Sequence, residues 1–158
     1  MYANGDKCHM GNGAGEANEA YMEFMVTNVR TGKPISFKIN RGSVKIPHGF
    51  DLSVPPNKYG VDFTERAIGG DRSYGGMNYY AARELSVPFE YGPDVVVIAK
   101  QTTGDPSKRR EKLLCTIAHE ILEAELMSTG LPYRIAHMYA MEVEKGVYMW
   151  PVNQLDQL

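Results

Sequence analysis

Residues 105–145 read DPSKRREKLLCTIAHEILEAELMSTGLPYRIAHMYAMEVEK, and this stretch decides the fold. Its spacing predicts two helices joined by a tight turn. Asp105 offers an acceptor for the open N–H groups of a first helical turn, and Pro106 suits the first helical position, which needs no donor. The first helix is predicted to run to about Ser128. Thr129-Gly130-Leu131-Pro132 then supplies a glycine to end it and a proline to begin the next.

Side chains four residues apart stand above one another on a helix, so His119 and Glu123 share a face, with Glu120 on the same sector. Two ligands one turn apart with a glutamate beside the first is the HExxH arrangement of zinc sites, where that glutamate is the general base. Here Glu123 stands where the second histidine would be, giving HExxE; carboxylate oxygen is also a zinc ligand. With a pivot near Thr129 and Gly130, His137 on the returning helix comes about level with Leu122, between His119 and Glu123. Packed helix axes lie roughly 8–10 Å apart, a gap that three inward side chains and a metal can span. Glu144 lies two turns beyond His137 on the stripe Tyr133–His137–Ala140–Glu144. It is either a partner fixing a histidine tautomer or a fourth ligand.

A plainer reading of the same helix competes. Leu113, Leu114, Ile117, Ala118 and Ile121 form an apolar stripe, and His119, Glu120 and Glu123 fall opposite it with Lys112 and Thr116. The polar side is then a solvated face carrying an ordinary helical His–Glu pair. His137 at the matching level tips the balance toward a metal site. Glu125 interrupts the apolar stripe, and is either buried with a partner or marks where the helix leaves the core. The cations Lys108, Arg109, Arg110 and Lys112 oppose the helix dipole; they read as a solvated cluster pairing with Asp105 and Glu111, or as a partner contact.

Working outward, Asp94–Gln101 (DVVVIAKQ) is the strongest strand, and its unbroken apolar centre predicts cover on both faces or a place inside the sheet. Ala20–Val29 and Ile35–Asn40 flank the turn Arg30–Pro34 and read as a β-hairpin. Short strands are expected at Ser43–Ile46 and Val61–Thr64, a short helix over Met77–Leu85, and a strand or extended arm over Gly146–Pro151 anchored by Trp150. Gly69, Gly70, Gly75 and Gly76, with Tyr74, Tyr79 and Tyr80, form a loop that covers a site or makes an irregular wall. His48 is a candidate extra ligand in the turn-rich region before it. Residues 1–19 are expected to form a flexible tail, on which Cys8-His9 and the Gly11–Gly15 run are weak metal and phosphate signals. The fold class expected is α+β: a small antiparallel or mixed sheet packed on a C-terminal helical hairpin, in one domain over residues 20–158.

A chain of 158 residues suits one core, and 43% hydrophobic with 23% charged residues is ordinary for a globular protein. A formal net charge of -2 gives no global attraction to nucleic acid or anionic membranes. No apolar run reaches the roughly 18 residues of a membrane span, and the N-terminus lacks the basic and apolar regions of a secretory signal. Cys8 and Cys115 make no C-x-x-C pair and no disulfide framework, which fits a reducing compartment. The expected location is cytoplasmic, or host cytoplasm for a viral protein.

Two resemblances enter on these residues. DVVVIAKQTTGDPSKRREKLLCTIAHE resembles the central segment of gluzincin-type metallopeptidases of the ImmA/IrrE kind, through Arg109, Arg110, Thr116, Ala118, His119 and Glu120. AHEILEAELMSTGLPYRIAHMYAMEVE resembles a motif of uncharacterised phage- or virus-associated proteins: HE-x-x-E, a G-x-x-Y turn, A-H-x-x-A and a later Glu. The second covers about a quarter of the chain and implies that His119, Glu120, Glu123, Tyr133, His137 and Glu144 form one site. The first implies a zincin-like, hydrolytic zinc enzyme, from which this chain departs in lacking the second histidine.

The leading expectation is a small zincin-like metalloprotein, a metal-dependent hydrolase acting on a peptide. His119, Glu123 and His137 would hold Zn2+ or another divalent ion, with water in the fourth position and Glu120 as its general base. Tyr133 or His48 would stabilise the developing oxyanion. The competing reading is a non-catalytic structural or interaction protein, for instance a phage or viral one, whose partner is a protein and whose cluster is a structural metal site or a buried polar network. Binding of nucleic acid through Lys108–Lys112 and the tyrosine-rich loop is a third reading and is not expected.

Overall fold

Two strands, β1 (Tyr21–Asn28) and β2 (Pro34–Asn40), form the expected hairpin, antiparallel from Tyr21 opposite Asn40 to Thr27 opposite Pro34. Gly32 in the turn sits at φ 76°, a conformation glycine adopts without steric cost. This computed structural model describes residues 21–40, 58–100, 105–144 and 147–148. The expectations for residues 1–19, for Ser43–Ile46, for His48 and for Trp150 lie outside the described residues.

The remaining strands are β3 (Gly60–Thr64), β4 (Gly76–Met77), β5 (Val95–Ala99) and β6 (Val147–Tyr148). They complete one mixed sheet in the order β4-β5-β3-β1-β2-β6. β5 lies parallel to β3 and antiparallel to β4. It is therefore an interior strand, one of the two outcomes its apolar run predicted. Its burial alternates: Val96 and Ile98 are fully covered, while Val95, Val97 and Ala99 are half-buried. The register sets Val61 beside Val96 and Phe63 beside Ile98, so these four share the face that meets the helices.

Among the described residues three α-helices accompany the sheet: α1 (Tyr79–Leu85), between β4 and β5, and α2 (Pro106–Ser128) and α3 (Tyr133–Val143), between β5 and β6. α1 starts two residues later than Met77 because Gly76 and Met77 pair with β5 and Asn78 caps the helix. α2 begins as its sequence predicts: the Asp105 carboxylate accepts a hydrogen bond from the Lys108 N–H at 3.2 Å, with Pro106 first in the helix. It ends at Thr129, and Gly130 turns the chain at φ 109°. α3 has no side-chain cap of its own at Pro132; instead the Tyr133 N–H donates to Glu84 of α1 at 3.0 Å.

The fold departs most from simple periodicity in α2. From Leu113 to Met127 only Thr116 and Glu125 are not buried. The apolar stripe packs toward the sheet, where Ile117 and Ile121 join Ile98 and Phe37 in one core. Each such side chain contributes roughly 1.5–3 kcal/mol by leaving water. The polar stripe is not a solvated face: it is closed over by α3 and by β4. Glu125 is half-buried with partners, accepting from the Tyr59 hydroxyl and pairing with Lys58. Cys115 is buried and is not a free thiol, so cysteine usage no longer argues for a reducing compartment. Among the described residues no helix is long and apolar enough to cross a membrane.

Candidate metal centre

His119 and Glu123 stand one turn apart on α2, as their spacing requires, and α3 returns antiparallel to bring His137 against both. Nε2 of His119 lies 3.0 Å from Oε2 of Glu123 and 3.1 Å from Nδ1 of His137. Nδ1 of His137 lies 2.8 Å from the same Glu123 oxygen. Three ligand-type atoms thus form a nearly equilateral triangle. His119 and Glu123 are buried and His137 is half-buried. The imidazole rings of His119 and His137 meet edge to face at 4.8 Å, and Tyr133 stacks on His137 at 5.0 Å.

The triangle fits a small divalent cation. Zinc binds nitrogen and carboxylate oxygen at about 2.0–2.2 Å, which sets tetrahedral ligand–ligand distances at about 3.3–3.5 Å. The three atoms need to separate by only a few tenths of an ångström. On the far side of His119, Nδ1 lies 2.5 Å from Oε2 of Glu144. Glu144 therefore meets the ring nitrogen opposite the triangle, not the triangle itself.

Glu120 sits beside this cluster and is 5% exposed. Burial, then repulsion from Glu123, raises its carboxyl to about 8. Glu123 is buried too, but its hydrogen bonds to His119 and His137 outweigh that and hold it below the ordinary value. Burial disfavours the charged form of His119, yet its hydrogen bonds to Glu123 and Glu144 prevail and raise it to about 10. Without a metal, the cluster keeps its balance by holding protons.

The sequence reading missed Asn78, the residue that joins the carboxylates. Asn78 is fully buried, and its Nδ2 donates to Oε1 of Glu120 and to Oε1 of Glu123, each at 3.0 Å. Its Oδ1 accepts from the Ala81 N–H at 2.9 Å, capping α1. An Asn ahead of a helical run is a readable cap signal; its contacts with Glu120 and Glu123 have no local signature.

The glycine–tyrosine loop does border the site. Tyr74, Gly75 and Gly76 form one wall of a cavity of about 200 Å³, opposite Lys112, Thr116 and Tyr133. A Cβ on Gly76 would lie 2.8 Å from both Cγ and Oε2 of Glu120. The glycine is what lets β4 approach so closely. Tyr133 lines the cavity, and burial, then the Glu123 charge, pushes its hydroxyl up to about 12. Lys112 is the member of the basic cluster that reaches the cavity. No protein-family model, no curated protein and no solved structure matches the chain.

Proposed function

We propose that this protein is a metal-dependent hydrolase acting on peptides, with zinc as the preferred ion. The observation that carries the proposal is the convergence of His119 Nε2, His137 Nδ1 and Glu123 Oε2 within 2.8–3.1 Å, beside a buried and separately held Glu120. Two nitrogens and one carboxylate oxygen form a donor set that suits zinc and leaves one position open. When bound there, the ion supplies Lewis-acid polarisation and makes water at the open position a stronger acid.

The chain's own residues account for the rest. Glu144, against Nδ1 of His119, holds the tautomer whose Nε2 lone pair points into the triangle. Glu120, which Asn78 holds on the cavity wall, would serve as the general base. Tyr133 keeps its proton at neutral pH and so can donate to a developing oxyanion. Support for a peptide comes from the sheet edge. Among the described residues β4 is the terminal strand, its residues line the cavity, and an extended chain can add to such an edge through backbone hydrogen bonds.

The test is metal content by elemental analysis of wild type, His119→Ala and His137→Ala, followed by peptide-library cleavage with Glu120→Gln as control. Near-stoichiometric zinc lost in both histidine variants, and cleavage lost in Glu120→Gln with zinc retained, is the expected result. A wild type that takes up no zinc at neutral pH sinks the proposal. One observation favours a structural metal site instead: the Glu123 side chain is only 2% exposed and that of His119 8%. In that case chelation lowers Tm sharply and no peptide is cleaved at any pH.

A further inference from the structure

We infer that Asn78 is a positioning residue that assigns the two buried carboxylates their separate tasks, one oxygen at a time. The inference rests on the metal site proposed above. The cap settles the orientation of the Asn78 amide: Oδ1 accepts from the Ala81 N–H, so Nδ2 must be the atom facing Glu120 and Glu123. Its two hydrogens are then both used, one on each Oε1. Glu123 is left with Oε2 for His119 and His137, so it meets an ion through a single oxygen. Glu120 is left with Oε2, the atom beside Gly76 on the cavity wall.

The donor must be neutral. A lysine or arginine at this point would satisfy both carboxylates by pairing and would repel a cation bound beside them, strongly so in a buried setting. An amide separates the carboxylates and holds them without neutralising them. Gly76, Met77 and Asn78 are consecutive, so three residues supply the close strand approach, the pairing with β5 and the amide. The chain is anchored on both sides of Asn78, by β4 and by α1, which fixes the amide to within the tolerance that a ligand oxygen needs.

Asn78→Ser keeps a capping oxygen for α1 but removes the forked donor. The experiment measures zinc Kd by chelator competition for wild type, Asn78→Ser, Glu123→Gln and the double variant, with Tm of each zinc-free protein alongside. Asn78→Ser is expected to weaken zinc binding about 10–100-fold with a small change in zinc-free Tm. In the Glu123→Gln background the same substitution should cost less than about threefold, because the oxygen it positions is already lost. A purely structural role predicts the same factor in both backgrounds, and that outcome overturns the inference, as does an Asn78→Ser protein that binds zinc like wild type. Should Asn78→Ser not fold, NMR of the wild type decides: both Asn78 side-chain amide protons should exchange slowly and shift when zinc is added. Fast, zinc-indifferent exchange overturns the inference. A wild type that binds no zinc overturns it together with the metal site, whereas the other outcomes against it leave the metal site standing.

Discussion

Asp62 and Glu123 are both buried carboxylates, 5% and 1% exposed, yet they are compensated in opposite ways. Asp62, on β3, turns away from the helices. It pairs with the Arg30 guanidinium through Nε and through Nη2 at 3.3 Å, and accepts from the Tyr91 hydroxyl at 2.7 Å. The Arg30 hydrogen bond, working against burial, holds the Asp62 carboxyl below its ordinary value. That carboxylate carries a permanent cation and is finished. Among the described residues, Glu123 and its neighbour Glu120 have no lysine or arginine as hydrogen-bond partners; they have imidazoles and one neutral amide. A buried charge needs a counter-charge. At Asp62 the chain supplies it as the Arg30 guanidinium, and at Glu123 it leaves a place that protons or a metal ion can fill.

The largest expected effect comes from removing the one carboxylate that the metal reading leaves as a base. Glu120→Gln should lower peptide cleavage by about 10²–10⁴-fold with zinc content unchanged, read by steady-state rates and elemental analysis. No corresponding loss should follow from Asp62→Asn, whose site belongs to the opposite face of the sheet. Equal losses from both would erase the distinction between the two clusters.

pH gives the next effect, with opposite signs in the zinc-free and zinc-loaded protein. Folded Glu120 is raised from 4.5 to about 8 and folded His119 from 6.5 to about 10, so both contribute stability that is fully present at low pH and lost as pH rises through the folded values. Zinc-free protein should lose several degrees of Tm between about pH 5 and pH 10. Zinc should reverse the trend over its lower half, because metal binding improves as ligands deprotonate. A zinc-free Tm that rises steadily across that range would contradict the charge balance described for the cluster.

Gly76→Ala is smaller in effect and local. The new Cβ would strike Glu120 at 2.8 Å while Asn78 holds the carboxylate from the other side. A cost of about 1–3 kcal/mol in urea unfolding is expected, with a loss of activity larger than the loss of zinc. The smallest effect belongs to Arg30→Met. Folded Asp62 lies below 3.8, so its contribution is present above that pH and is lost as pH falls through the folded value. The variant should unfold at a slightly higher pH in an acid titration, by a margin limited because Arg30 is solvent-exposed and screened.

Much of the hairpin was legible because its signals are local. Asp105, Pro106, Thr129 and Gly130 mark the ends of α2, and one-turn spacing pairs His119 with Glu123. Folding arithmetic across a short turn then brings His137 level with them. The opposite side of α2 was ambiguous for a physical reason: a polar stripe at helical spacing is the same pattern whether water or another element covers it. Glu125 shows the same ambiguity, since its partners Lys58 and Tyr59 come from the two positions just before β3.

By itself, then, the sequence determined the α+β class, the helix pair and the three residues that can meet at a metal, all through contacts fewer than about twenty positions apart. Only the tertiary structure decided that those residues are buried, that β4 forms the cavity wall, and that Asn78 joins Glu120 to Glu123. The amide and the two carboxylates lie 42 and 45 residues apart in the chain. Periodicity governs neighbours along one helix, whereas contacts at such separations depend on how the sheet edge and the helices close on a shared core.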